Sequence, residues 1–203
     1  MRQLHPVGQR ERFVRRGVYR RLADDLIVER WTLHTLDGAY LARVDQDNPT
    51  GGFRLYEALF DAEGLPVRFN QEVFRTGSPR TRIHRVFVDG VMQTTVGRGE
   101  QAEAEEHTLP ASAIPTDWPW IVQGLALYAA VRLGWHAVFD VAVGDVWPVE
   151  VVTTHDGVQV MRVAGRRLWI DAQGVALAAE DGAHNRVYLD DGSSKSKAYA
   201  SVE

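Results

Sequence analysis

The stretch IVERWTLHTLDGAYLARV, residues 27–44, carries the reading that decides the fold. Ile27, Trp31 and Leu33 alternate with Arg30, Thr32 and His34, the period-two pattern of a strand with one apolar face. Asp37-Gly38 interrupts the alternation, and Ala39 to Val44 returns it. Asp-Gly supplies the positive φ angles of a type I′ turn, whose twist matches that of two antiparallel strands. The segment therefore predicts a tight hairpin. The dipeptide recurs at 89–90, 156–157, 181–182 and 191–192, and four of the five copies adjoin an alternating apolar run.

Outward from this hairpin the pattern is a meander. Residues 45–52 read as a loop. Phe53, Leu55 and Leu59 mark a third strand, and Val67, Phe69 and Val73 a fourth. Ile83 and Phe87 mark a fifth, and Val91 to Val96 a sixth. Turn residues at 61–64, 76–79 and 89–90 separate them. Glu100 to Glu106 holds four glutamates and reads as a solvated loop. One helix follows at about 117–134, with Asp117 as N-cap, Pro119 in the first turn and Gly134 as the stop. Its long polar side chains, Gln123 and Arg132, fall on opposite sides, so no polar face exists. The helix should be enclosed, with Leu125 wholly surrounded. Strands resume at Val138 and continue through 146–153, 158–163, 168–170, 175–179 and 186–189. The turn Asp61-Ala-Glu-Gly64 recurs as Asp171-Ala-Gln-Gly174, either as a repeat of one hairpin or as two independent uses of one turn.

An antiparallel sheet with one apolar face needs a cover, and an all-apolar helix needs an enclosure. The expected fold is mainly β: a strongly curved antiparallel sheet or open barrel of about 10–11 strands wrapped around one central helix. Residues 1–24 form a basic N-terminal arm, 25–191 a single β-rich domain, and 192–203 a polar, frayed tail. This strand order, the late helix and the segment Arg167-Leu-Trp-Ile-Asp-Ala-Gln-Gly-Val175 resemble the open, helix-plugged barrels of bacterial lipoprotein carriers and glycolipid-binding proteins of the spiral β-roll type. The resemblance implies an apolar or amphipathic ligand held between sheet and helix.

Composition narrows the function classes. The 203 residues are 45% hydrophobic and 25% charged, ordinary globular values. A net charge of −4 gives no global reason to bind nucleic acid. The absence of cysteine removes disulfides, thiolate metal sites and a cysteine nucleophile. No apolar leader opens the chain, and the longest apolar stretch, 118–131, is too short to insert in a membrane. These features point to a cytoplasmic protein.

No nucleophile elbow, phosphate loop or dinucleotide fingerprint occurs, and the seven histidines show no metal-ligand spacing, so no cofactor or metal is expected. Amphipathic rings suit the mouth of a cavity, which nominates Trp31, Trp118 and Trp120, the last two flanking Pro119. Arg54 and Tyr56, Asn70 and Glu72, and Arg82 and His84 fall opposite their strands' apolar stripes. Tyr56, Arg82 and His84 are therefore added as candidate ligand contacts. The leading expectation is a non-enzymatic binding module for a small apolar or amphipathic, lipid- or glycolipid-like molecule. A homodimeric interaction domain, joined through the basic arm and the acidic segment, is the alternative. An enzyme using Arg82, His84 and Glu72 ranks third.

Overall fold

The computed structural model describes residues 1–47, 51–117, 119–181, 185–191 and 194–201. Among the described residues the chain is mainly β, with fifteen strands in one open, mixed sheet and two helices. It divides into two compact units, residues 1–16 with 29–111 and residues 17–28 with 112–203. Strands β1 (Arg12–Arg21) and β2 (Ile27–Leu36) each pass from one unit into the other. Among the described residues no helix is long and apolar enough to cross a membrane.

The first unit continues with β3 (Ala39–Asp47), β4 (Phe53–Phe60), β5 (Pro66–Phe74), β6 (Thr81–Val88), β7 (Val91–Arg98) and β8 (Gln101–Thr108). Each pairs antiparallel with the next, the meander read from the sequence. Asp37 and Asp89 take φ of 51° and 50°, and the glycines after them 87° and 76°, the left-handed pair that a type I′ turn requires. Register assigns the faces. Trp31, Val44, Tyr56, Ala58, Phe60 and Phe69 share one face and are buried, with Phe69 packed edge-on against Phe87 at 4.9 Å. The opposite face carries Arg43, Asp45, Glu57, Arg68, Asn70, Glu72, Arg82 and His84.

The second unit holds β9 (Ala113–Thr116), α1 (Trp120–Arg132), β10 (Ala137–Asp140), β11 (Val146–His155), β12 (Val158–Val163), β13 (Arg166–Ile170), β14 (Ala176–Asp181), β15 (Asn185–Asp190) and α2 (Ser194–Ala200). Strands β9 and β10 pair in parallel, because α1 crosses between them. Asp156-Gly157 makes a third left-handed pair, at 49° and 77°. The glycines of the 181–182 and 191–192 pairs lie outside the described residues.

Several expectations are corrected. Fifteen strands replace ten or eleven. Much of the excess comes from β1 in the basic arm, the short buried β9, and β8, where an acidic loop was expected. Glutamate and alanine are weak strand formers, but β7 offers β8 a complete ladder from Val91–Thr108 to Arg98–Gln101, and pairing overrides propensity. The helix starts later than expected: Pro119, not Asp117, stands at the N-cap, with ψ of 133° and no side-chain cap. Gly134 does stop it, since Gly134 N–H donates to Val131 O and Trp135 N–H to Ala130 O, with Gly134 at φ 71°. Leu125 is not wholly surrounded. Ile121, Val122, Ala126 and Ala130 are fully buried, whereas Leu125 and Tyr128 are half-buried and Arg132 is exposed, a stripe at helical spacing. The expected frayed tail contains α2, whose Tyr199 and Ala200 pack on Trp169, Ala178 and Tyr188.

Candidate ligand site on the β5–β7 face

The polar face of the first unit is partly covered by the chain's own N-terminal segment, which ion pairs hold in place. Arg43, on β3, is 2% exposed and lies between two carboxylates. Its Nη1 and Nη2 donate to Glu11 at 2.5 and 2.8 Å, and its Nε donates to Glu57 at 2.9 Å. The fork of the guanidinium matches a carboxylate with two parallel bonds. The Glu57 carboxylate also meets His5 Nδ1 at 2.6 Å. Further out, Arg2 donates from its backbone and side chain to Asp45, at 2.8 and 2.9 Å, and its guanidinium lies 3.9 Å above the Phe53 ring.

Arg43 holds the Glu11 carboxyl below the usual range, chiefly by hydrogen bonding. His34 is buried beside this pair, with Phe13 edge-on to its ring at 5.9 Å. Burial first, and the Arg43 charge second, push its pKa down.

Beyond the cover, β5, β6 and β7 leave a cavity of about 680 Å³. Leu4 and His5 of the N-terminal segment form one wall. Arg68, Asn70 and Glu72 from β5, Arg82 and His84 from β6, and Thr95 and Gly97 from β7 line the rest. Register brings them together: Asn70 faces His84, which faces Thr95, and Glu72 faces Arg82, which faces Gly97. His84 Nδ1 lies 2.5 Å from Asn70 Oδ1. Burial, then the Arg68 charge, lower the His84 pKa. Glu72 is occupied by Arg80 and by Arg82, the latter at 3.4 Å. Among the described residues Arg68 has no carboxylate partner, although it is half-buried.

Of the residues nominated from sequence, Arg82 and His84 line this cavity. Tyr56 does not: β4 turns Leu55 and Glu57 toward the polar face, so Tyr56 lies on the other face against Phe69, with ring centroids 5.8 Å apart. Trp31 is 1% exposed on that same apolar face. Trp120 is half-buried at the start of α1, and Trp118 lies outside the described residues. Sequence reasoning missed Arg68, although it alternates with Asn70 and Glu72 and so belonged to the same stripe. His5 and Leu4 gave no signal, because only the tertiary ion pairs bring them to β5.

Among the described residues, α1 lies close on the sheet at Gly124. The cavity among Gln123, Leu127, Val138, Trp147 and Arg166 amounts to about 10 Å³, enough for a water molecule at most. Gly124 permits this closeness, since a Cβ there would stand 2.7 Å from Gly174 O and 2.9 Å from Ala176 N. Among the described residues no cluster of His, Asp and Glu is arranged to hold a metal ion. Comparison of the chain with protein-family models, with curated proteins and with solved structures gave no match.

Proposed function

We propose that this protein is a non-enzymatic binding module for a small amphipathic molecule, lipid- or glycolipid-like, taken up in the β5–β7 cavity of the first unit. The cavity itself carries the reading: about 680 Å³ lies within the range of small-molecule sites, and Leu4, Thr95 and Gly97 adjoin fixed charges there. The resemblance to spiral β-roll carriers supports an acyl-like tail. The packing of α1 on β9, β10, β13 and β14 supports the curved sheet that goes with that resemblance. Catalysis by Arg82, His84 and Glu72 is a weaker reading, because Glu72 engages two arginines and Asn70, not Glu72, is the partner of His84. A cysteine-free chain suits the cytoplasmic site of action proposed with it.

Native mass spectrometry, before and after denaturing extraction, tests the proposal. A retained small molecule is expected. Gly97→Leu should abolish it while leaving the fold intact, because a Cβ at Gly97 meets nothing closer than 3.8 Å. No retained molecule across several preparations, together with no uptake of added amphiphiles, would remove the reading.

A second reading, a homodimeric interaction domain, is favoured by β8. It ends the sheet, and every one of its residues is exposed. Sedimentation at several concentrations separates the two, since a strict monomer would count against the dimer.

A further inference from the structure

Two hairpins of this chain share one register, and they differ where the cavity lies. Around the turns at 61–64 and 171–174, Leu59 pairs with Arg68 as Trp169 pairs with Ala178, and Glu57 with Asn70 as Arg167 with Glu180. Arg68 therefore occupies the position of Ala178. In the second unit that alanine is fully buried under Tyr199 and Ala200 of α2. In the first unit the same position carries a guanidinium that lines an open cavity, without a carboxylate partner among the described residues. A half-buried guanidinium gains most from a planar or tetrahedral oxyanion able to take two of its N–H groups.

Resting on the ligand-binding reading above, we infer that the ligand of this cavity carries an anionic head group, a carboxylate or a phosphate monoester, which binds Arg68, while its apolar part runs toward Leu4. The other cation of the lining, Arg82, is already paired with Glu72 at 3.4 Å, so Arg68 supplies the uncompensated charge. His84 adds a coupled event. The groups facing it are Arg68, Asn70 and Glu72 on β5, Arg82 on its own strand, Thr95 on β7 and His5 from the N-terminal segment. An anion on Arg68 offsets the repulsion that Arg68 exerts on the imidazolium, so binding draws a proton to His84.

Calorimetric titration of the full chain with decanoate, decyl phosphate and decyl glucoside, each below its micelle-forming concentration, tests the inference. Both anions should bind about tenfold more tightly than the glucoside, with proton uptake measured between buffers of different ionisation enthalpy. The tighter of the two identifies the head group. Arg68→Gln should weaken both anions about tenfold and so remove their advantage over the glucoside, and Arg68→Lys should restore part of the loss. Equal affinity for all three probes, or anion binding indifferent to Arg68→Gln, would overturn the anionic head while leaving the cavity reading in place. If none of the three binds, the cavity reading falls and this inference falls with it.

Discussion

The hairpins β4–β5 and β13–β14 are one design used twice, and what covers them differs. Asp61 and Asp171 each donate N–H to the carbonyl of the residue closing the turn, Leu65 at 2.9 Å and Val175 at 3.0 Å. Each Oδ1 accepts two backbone N–H groups in return, from Glu63 and Leu65 or from Gln173 and Val175. Gly64 and Gly174 follow at φ 88° and 82°, and a bulge precedes each turn, at Leu59/Phe60 and at Trp169/Ile170. On the face shared by Leu59 and Trp169 the units then diverge. The first covers it with a non-helical segment tied by Glu11, Arg43, Glu57 and His5. The second covers it with α2, seated by Tyr199 and Ala200. Helix α2 seats its Tyr199 and Ala200 on the sheet, and a cavity of about 410 Å³ remains beside Ser196, Ala198 and Tyr199. A charged strap holds only where its partners stand, and past His5 the face is left open as the cavity.

Breaking the strap should cost more than crowding α1 against the sheet in the second unit. Arg43→Met leaves the Glu11 and Glu57 carboxylates buried without their cation, which should cost about 3–5 kcal/mol. Urea unfolding would measure the loss, and limited proteolysis should show earlier cleavage within residues 1–11. Replacing the whole trio by apolar residues, Arg43→Met with Glu11→Leu and Glu57→Leu, should recover most of the stability, since a buried ion network is seldom better than packed hydrocarbon. Failure of the triple variant to recover would mean that the charges do more than hold the segment down. In the second unit, Gly124→Ala places a methyl 2.7 Å from the Gly174 carbonyl oxygen, a backbone atom that cannot swing away. The expected cost is about 3 kcal/mol, the upper end for overpacking, read as a lower urea midpoint with an unchanged slope.

How much of this was legible depended on whether the signal was local. The hairpins were, because Asp37-Gly38, Asp89-Gly90 and Asp156-Gly157 encode φ directly. Gly134 was legible as a helix stop for the same reason. Strand β8 was not, since its residues favour no strand and only β7 makes it one. The half-buried stripe of α1 at Leu125 and Tyr128 escaped because a uniformly apolar helix does not say which side the sheet takes. At the site, alternation brought Asn70, Glu72, Arg82 and His84 to one face, whereas the phase of β4 was read inverted. Both sides of that strand are apolar: Leu55 on one, Tyr56 and Phe60 on the other. The cover and its cavity wall depended on Glu11 meeting Arg43, a pairing no local pattern encodes.

The charged strap also makes the first unit sensitive to acid. Burial and the Arg43 charge lower the His34 pKa in the fold, whereas the unfolded chain takes up the proton as pH falls through about 6.5. Its contribution is therefore complete above that pH and lost progressively below it, down through the lowered folded value. Glu11, held low by Arg43, keeps its contribution to lower pH still, and loses it from the ordinary glutamate range down through its folded value. Thermal melts between pH 8 and pH 4 should show a decline that begins near 6.5 and steepens in the carboxylate range. His34→Leu should flatten the first part and leave the second. A decline of the same form in the His34→Leu variant would assign the early loss to another group.

The smallest effect expected lies in a turn, and it sharpens the comparison of the two units at its most local. Val163 and Arg166 pair across a two-residue loop, Ala164-Gly165, with φ of 49° and 76°. These are the angles of the Asp-Gly turns, yet the first residue is alanine, whose Cβ crowds the backbone in the left-handed region. Aspartate tolerates that region better, because its short polar side chain can hydrogen-bond nearby backbone. Ala164 is exposed, so the exchange disturbs no core. Ala164→Asp should stabilise the protein by about 0.5–1 kcal/mol, a rise of about 1–4 °C in melting temperature for a chain of this size. The reciprocal change, Asp156→Ala in the neighbouring hairpin, should lower it by a similar amount. If Ala164→Asp lowered the melting temperature, the turn between β12 and β13 would not share the geometry of the Asp-Gly turns. The second unit would then lose one of the hairpins that make its strand order parallel that of the first.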